Sequence, residues 1–231
     1  MRRLSLFLVG LLGLAGQAHA QAYQCRIPRE APAVPSVHRE GPVRQLPVSG
    51  YTLALSWPPE YCRKGHSDTQ CSGRNGRFGL IVHGLWPEGA RSGWPQWCAG
   101  KRTLSPETAR RHLCMTPSPS LMAHEWAKHG SCMTATPDAY FKVTQILWSS
   151  LNLPDLDHLA RSRDLKAADV RDAMARANPA IGRRSIAVMT SRSGWLEEIR
   201  LCYGKDFMPT ACAKGRRGIA DQTPVKIWRG L

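Results

Sequence analysis

Within the stretch HEWAKHGSC, residues 124 to 132, two histidines, a glutamate and a lysine fall inside six positions, with a glycine, a serine and a cysteine directly behind them. Side chains four apart share a helix face. A helix here pairs His124 with Lys128 and Glu125 with His129, gathering cationic groups around one carboxylate. Three chemistries use such residues. A zinc peptidase places its two histidines one turn apart, as His-Glu-x-x-His. Here they are five apart, a rotation of about 140° on an ideal helix. Lys128 would repel a divalent cation, and no third ligand is evident, so no metal is expected; a His-Glu-x-x-x-His zinc peptidase is kept only as an alternative. Covalent catalysis is poorly served, because Ser131 lacks a GxSxG elbow and Cys132 belongs to an even set of cysteines. Acid–base chemistry fits best. Two imidazoles that trade protons near neutral pH, held and polarised by a lysine and a glutamate, suit cleavage of a phosphodiester whose own neighbouring hydroxyl attacks. That reaction needs a base, an acid and positive charge on the phosphate, and neither metal nor cofactor. RNA carries the internal hydroxyl and DNA does not, so the expected partner is single-stranded RNA, with no cleavage of DNA.

A further histidine should complete the site. His83, in LIVHGLWPEG, precedes a glycine and stands three residues before Trp86, whose ring could stack on a base. Taken alone, a histidine at a strand end is more often structural; beside the 124–132 cluster the balance reverses.

These residues need positioning elements. YTLALSW, from Tyr51 to Trp57, alternates and ends at Pro58-Pro59, which predicts a strand. FGLIVHG, after the turn SGRNGR, predicts a second strand that delivers His83 at its end. Ser105-Pro106-Glu107, Ser118-Pro119 and Thr136-Pro137-Asp138 each pair an N-cap with a proline and open three helices; the second carries the cluster and stops at Gly130, and the third runs through Leu151. A further helix is predicted over Lys166 to Ala177, followed by strands at SIAVMT and WLEEIRLCYG. Helices gathered between groups of strands imply an α+β fold.

Residues 1–20 combine Arg2 and Arg3, an apolar run from Leu4 to Ala15 and an Ala18-His19-Ala20 end, the pattern of a secretory signal peptide. A proline-rich arm is expected over 21–48 and a catalytic domain over 49–231. The chain beyond the leader is about 210 residues long, suited to one domain. No run is long enough for a membrane anchor, and the protein is expected to be a monomer, periplasmic or secreted. Eight cysteines in such a compartment predict four disulfides. The formal net charge of +15 draws the chain toward a polyanion, a pull that a non-catalytic basic binder of RNA or of a cell surface would share.

HGLWP at 83 to 87 and HEWAKHGSC at 124 to 132, in that order, resemble the two active-site segments of the ribonuclease T2 family, the secreted base-nonspecific acid endoribonucleases, in a bacterial-type form. LALSWPPEYC at 53 to 62 resembles the family's first core strand and the turn after it. The resemblance implies a single disulfide-bonded α+β domain, a central antiparallel sheet with helices packed on it. It also implies a two-step reaction: transphosphorylation to a 2′,3′-cyclic phosphate, then hydrolysis to a 3′-phosphate. His129 resembles the general base, His83 the general acid and His124 the phosphate-binding histidine, while Glu125 and Lys128 resemble the pair that stabilises the pentacovalent transition state. Trp86, Glu88 and Trp94 match the family's base pocket; for Trp94, as for Trp57 and Trp97, ordinary packing is an equal reading. The family pairs Cys62 with Cys71, Cys98 with Cys132 and Cys202 with Cys212, which leaves Cys25 for Cys114. His124 must be protonated to hold phosphate, so an acidic optimum is expected. His38, His66, His112 and His158 are read as solvated surface.

Overall fold

The computed structural model describes residues 24–90, 93–98, 100 and 103–229. The expected leader, 1–20, lies outside them. Four strands, β1 (Val48–Ser56), β2 (Ile81–Gly89), β3 (Ile186–Thr190) and β4 (Leu196–Gly204), form one antiparallel sheet in the order β2-β1-β4-β3. Among the described residues six helices accompany it: α1 (Pro58–Arg63), α2 (Pro106–His112), α3 (Pro119–Lys128), α4 (Pro137–Ser149), α5 (Leu156–Leu159) and α6 (Ala167–Ala177).

The helix starts follow their caps. Ser105, Ser118 and Thr136 accept hydrogen bonds from the amides of Thr108, Leu121 and Ala139, at 3.1, 3.3 and 3.3 Å, each with proline next in line. Leu53 and Leu55 of β1, Val82 and Leu85 of β2 and Ile199 and Leu201 of β4 enter one core with Met122, Trp126 and Tyr140 of α3 and α4. The opposite face of the sheet carries Thr52 and Cys202, which pair across β1 and β4, and the segment after Cys212 reaches it.

Two expectations need correction. Pro58-Pro59 does not merely end a strand; the prolines open α1, as the first helical turn tolerates them. β2 does not end at His83 but begins at Ile81 and continues to Gly89. Ala54 pairs with Gly84 and Leu55 with Val82, so His83 is the extra, unpaired residue of a β-bulge. The free edge of β2 is covered: the Tyr140 hydroxyl accepts from the Leu85 amide at 3.0 Å and donates to its carbonyl at 3.2 Å, and Val82 bonds Met115 and Thr116.

All eight cysteines are bridged, as Cys25–Cys114, Cys62–Cys71, Cys98–Cys132 and Cys202–Cys212. The N-terminal segment lies over the domain through Cys25, the Arg44–Gln96 bridge and the Glu40 carbonyl, which accepts from the Trp97 indole at 2.7 Å. Among the described residues no helix is long and apolar enough to cross a membrane.

Candidate active site

The bulge decides which way β2 presents its side chains. A strict period of two would send His83 and Leu85 to one face. With His83 inserted, Val82 and Leu85 both enter the core, and His83, Trp86 and Glu88 all line one cleft of about 400 Å³. Helix α3 supplies its other wall with His124, Glu125 and Lys128, and His129 caps the helix end. All eight side chains singled out in the sequence, Trp94 included, line this cleft together with Thr52, Arg200 and Arg216.

Strand and helix approach closely because Gly84 has no side chain: a Cβ there would collide with Glu125 Oε2. The Glu125 carboxylate is buried, accepts from the Trp86 indole at 2.6 Å and lies 3.6 Å from His83 Nε2. The far end of α3 is fixed from outside. The Trp97 amide donates to the Lys128 carbonyl at 2.7 Å, and the Cys98–Cys132 bridge ties the next residue to the turn Gly130–Cys132.

The two outer histidines of the candidate set, His83 and His129, sit in opposite surroundings. Burial works against a charged His83, but the hydrogen bond from its Nδ1 to Glu198 at 2.7 Å, with the charges of Glu125 and Glu198, outweighs burial and raises its pKa. Glu198 is itself buried; burial opposes its charge, yet His83 and Arg200 hold its carboxyl below the usual range. His129 has no such carboxylate. It is buried, its Nδ1 lacks a hydrogen-bond partner, and burial followed by the charges of Lys128, His124 and His83 drives its pKa down to about 2. His124 is lowered more mildly, by burial and then Lys128. Burial raises Glu125. The cluster thus holds one imidazole that keeps its proton and another that rests neutral with a nitrogen free of one.

Toward the residues expected to meet a base, Trp86 meets His83 edge-on at 5.2 Å and carries the Arg200 guanidinium over its ring at 4.9 Å. Trp94 is 41% exposed and lies under Arg44 at 4.6 Å, whereas Trp57 and Trp97 are core residues. Glu88 is held by Thr52 at 2.7 Å and Arg216 at 2.5 Å.

Three cleft residues, Thr52, Arg200 and Arg216, and the carboxylate behind His83, Glu198, escaped the sequence reading. A signal existed for two of them. In WLEEIRLCYG, Glu198 and Arg200 alternate with Ile199 and Leu201, a carboxylate and a guanidinium on one face of an inner strand. His38, His66 and His158 are exposed. His112 is not solvated surface: its ring is partly buried on Phe141 at 5.3 Å, and its Nδ1 is buried without a partner. Among the described residues no group of three His, Cys, Asp or Glu side chains could hold a metal ion.

The Ribonuclease T2 family model matches residues 49–212. A probable ribonuclease of Haemophilus influenzae is 32% identical over 183 residues, 73% of this chain and 62% of that protein. A ribonuclease of Aeromonas hydrophila is 42% identical over 83 residues, 36% of each chain. The chain therefore spans less than two thirds of the length of these relatives. Among solved structures, trichomaglin, an S-like ribonuclease, superposes with a TM-score of 0.62 at 21% identity, covering 78% of this chain and 98% of its own. RNase NT in complex with 5′-AMP superposes at 0.61 and 20% identity, with the same coverage. At such identities the likeness is one of fold.

Proposed function

From the premise that the chain belongs to the ribonuclease T2 family, we propose that it is a metal-independent endoribonuclease, exported to the periplasm or beyond and acting as a monomer on single-stranded RNA. The opposed surroundings of His83 and His129 carry this reading. An enzyme that breaks a phosphodiester by internal attack needs one group able to take a proton and another able to give one at the same pH. His129, kept neutral by burial and its cationic neighbours, accepts the proton of the 2′-hydroxyl as that oxygen bonds to phosphorus. His83, kept protonated by Glu198 and Glu125 against its burial, gives its proton to the 5′-oxygen as the P–O5′ bond breaks. The products are a 2′,3′-cyclic phosphate and a free 5′-hydroxyl. In the second step water enters along the path of the leaving group, the two histidines exchange roles, and a 3′-phosphate results.

Lys128 and a protonated His124 supply positive charge where the phosphorane becomes most negative, the largest single contribution in reactions of this type. Glu125 faces Trp86 and His83 and fixes both. His83 is also shared between two clefts. Beyond it, Ser56, Tyr61, Gln70 and Ser118 line a second hollow of about 280 Å³ that suits the departing nucleoside, while Trp86 and Trp94 suit the base on the attacking side. Export is supported by the leader-like residues 1–20 and by four bridges, which persist in oxidising compartments.

The test is incubation of the oxidised protein with an RNA strand and its DNA counterpart in EDTA across pH 4 to 8, at one stated salt concentration. New 2′,3′-cyclic phosphate ends from RNA alone are expected. Uncut RNA across the range would sink the enzyme reading and leave a basic binding protein; loss of cleavage with chelator would point to a metal.

A further inference from the structure

The base cleft contains a residue that the family match does not reach. Arg216 comes after the last matched position, 212, and folds back over the sheet into the cleft. Its Nη1 stands 2.5 Å from Glu88 Oε2, and its Nη2 donates to the Gly93 carbonyl at 3.2 Å. Glu88 Oε1 accepts from Thr52 at 2.7 Å. One guanidinium therefore joins the segment that carries Trp86 and Glu88 to the segment that carries Trp94. The Glu88 carboxylate has both oxygens engaged and its charge compensated on the spot. Neither partner is exhausted: a guanidinium has five N–H groups, of which two are used here, and each carboxylate oxygen has a second lone pair. Both side chains are partly exposed to the cleft, 29% for Arg216 and 15% for Glu88.

We propose that Arg216 is a specificity-determining residue: paired with Glu88, it turns a carboxylate acceptor site into a mixed donor and acceptor site that takes amino-bearing and carbonyl-bearing bases alike on the 5′ side of the cleaved bond. The inference rests on the ribonuclease reading and deepens it. Cytosine and uracil are the informative pair, since they have nearly the same shape and differ at position 4, an amine in one and a carbonyl in the other. A carboxylate alone accepts from the cytosine amine and repels the uracil carbonyl. With Arg216 beside it, the uracil carbonyl finds an N–H donor, and the ring N–H of uracil can still reach Glu88. The two bases then bind comparably. Guanine discriminates less well, because its neighbouring N–H groups can satisfy a lone carboxylate.

The experiment compares kcat/KM for CpA and UpA in the unsubstituted protein, Arg216→Ala, Arg216→Gln and Glu88→Gln. The unsubstituted protein should cleave the two within about threefold of each other. Loss of one charge-assisted hydrogen bond is worth about tenfold, so both Arg216 variants should shift the ratio toward CpA by about that factor. Glu88→Gln, which leaves Arg216 unpaired, should shift it toward UpA. Binding of 3′-CMP and 3′-UMP, followed through the fluorescence of Trp86 and Trp94, should move in the same sense and does not depend on turnover. Equal losses on both substrates in the Arg216 variants, or an unmoved ratio, would show that Arg216 acts only as bulk charge or as a loop clamp and overturn the proposal. Absence of cleavage by the unsubstituted protein overturns the ribonuclease reading along with it.

Discussion

His83 and His129 are chemically identical side chains, and the difference in role proposed for them comes from what each nitrogen touches. His83 leans on Glu198 through Nδ1; the Nδ1 of His129 has no partner. If His83 is the proton donor to the leaving oxygen, His83→Ala should lose about 10²- to 10⁴-fold in kcat on RNA. Most of that loss should vanish on a uridine 3′-(4-nitrophenyl phosphate), whose leaving group needs no proton. His129→Ala should be slow on both, and rescue of His129→Ala with none of His83→Ala would reverse the assignment. The pH profile rests on the same contacts. A raised pKa at His83 keeps the acid protonated to higher pH, so the alkaline limb of kcat should lie above the ordinary imidazole range. Glu198→Gln keeps the hydrogen-bonding shape and removes the charge, so that limb should move to lower pH with little change in kcat at pH 5. His124 is lowered, so phosphate binding should weaken first: KM should rise at a lower pH than kcat falls. Activity flat to pH 9 would remove His124 from its role.

The elements matter through two close approaches. β2 reaches α3 at Gly84, where any Cβ meets the Glu125 carboxylate. Gly84→Ala should leave the sheet intact at a stability cost of about 1–3 kcal/mol, the usual range for overpacking. It should also lower kcat by about 10²-fold, because a displacement of an ångström is enough to spoil reacting geometry. Circular dichroism and denaturant melts beside the kinetics separate the two effects, and an unchanged kcat would mean that Glu125 is not held by this contact. The helices were legible in the sequence since caps act locally: Ser105, Ser118 and Thr136 bond amides three residues on. The bulge was not. Whether β2 stops at His83 or continues to Gly89 depends on pairing with β1, some thirty residues back in the chain, and on the Tyr140 hydroxyl that satisfies the strand's free edge.

At the scale of the whole molecule the four bridges act on the unfolded chain. In the chain-entropy model the stabilisation grows with loop length, from about 2.6 kcal/mol for the separation of 9 between Cys62 and Cys71 to about 4.6 kcal/mol for the separation of 89 between Cys25 and Cys114. The Cys98–Cys132 bridge, with a separation of 34, falls between them at about 4 kcal/mol. It differs from the others in standing beside the Trp97–Lys128 bond that seats the end of α3. Replacing both cysteines by serine should lower stability by about that amount in denaturant melts and should also reduce kcat. Replacing Cys25 and Cys114, whose bridge ties the N-terminal segment to the turn after α2 and lines neither cleft, should affect stability with less effect on kcat, and equal kcat losses in the two pairs would contradict a local role.

By itself the sequence determined the family, the candidate residues and the elements that carry them. Histidine, glutamate and lysine at helical spacing, a second histidine before Gly-Leu-Trp-Pro, capping residues at the starts of α2, α3 and α4 and alternation in the strands are all set within a few residues of one another. Those are short-range constraints, and local patterns carry them. Tertiary structure alone decided how the groups are differentiated. Glu198 reaches His83 from a strand more than a hundred residues away, with Arg200 bonded to Glu198, the bulge turns His83 onto the side of Trp86 and Glu88, and Arg216 folds over from beyond the matched region to meet Glu88. The physical reason is that proton affinity and hydrogen-bond capacity depend on burial and on neighbours in space, whereas a sequence reports only neighbours along the chain.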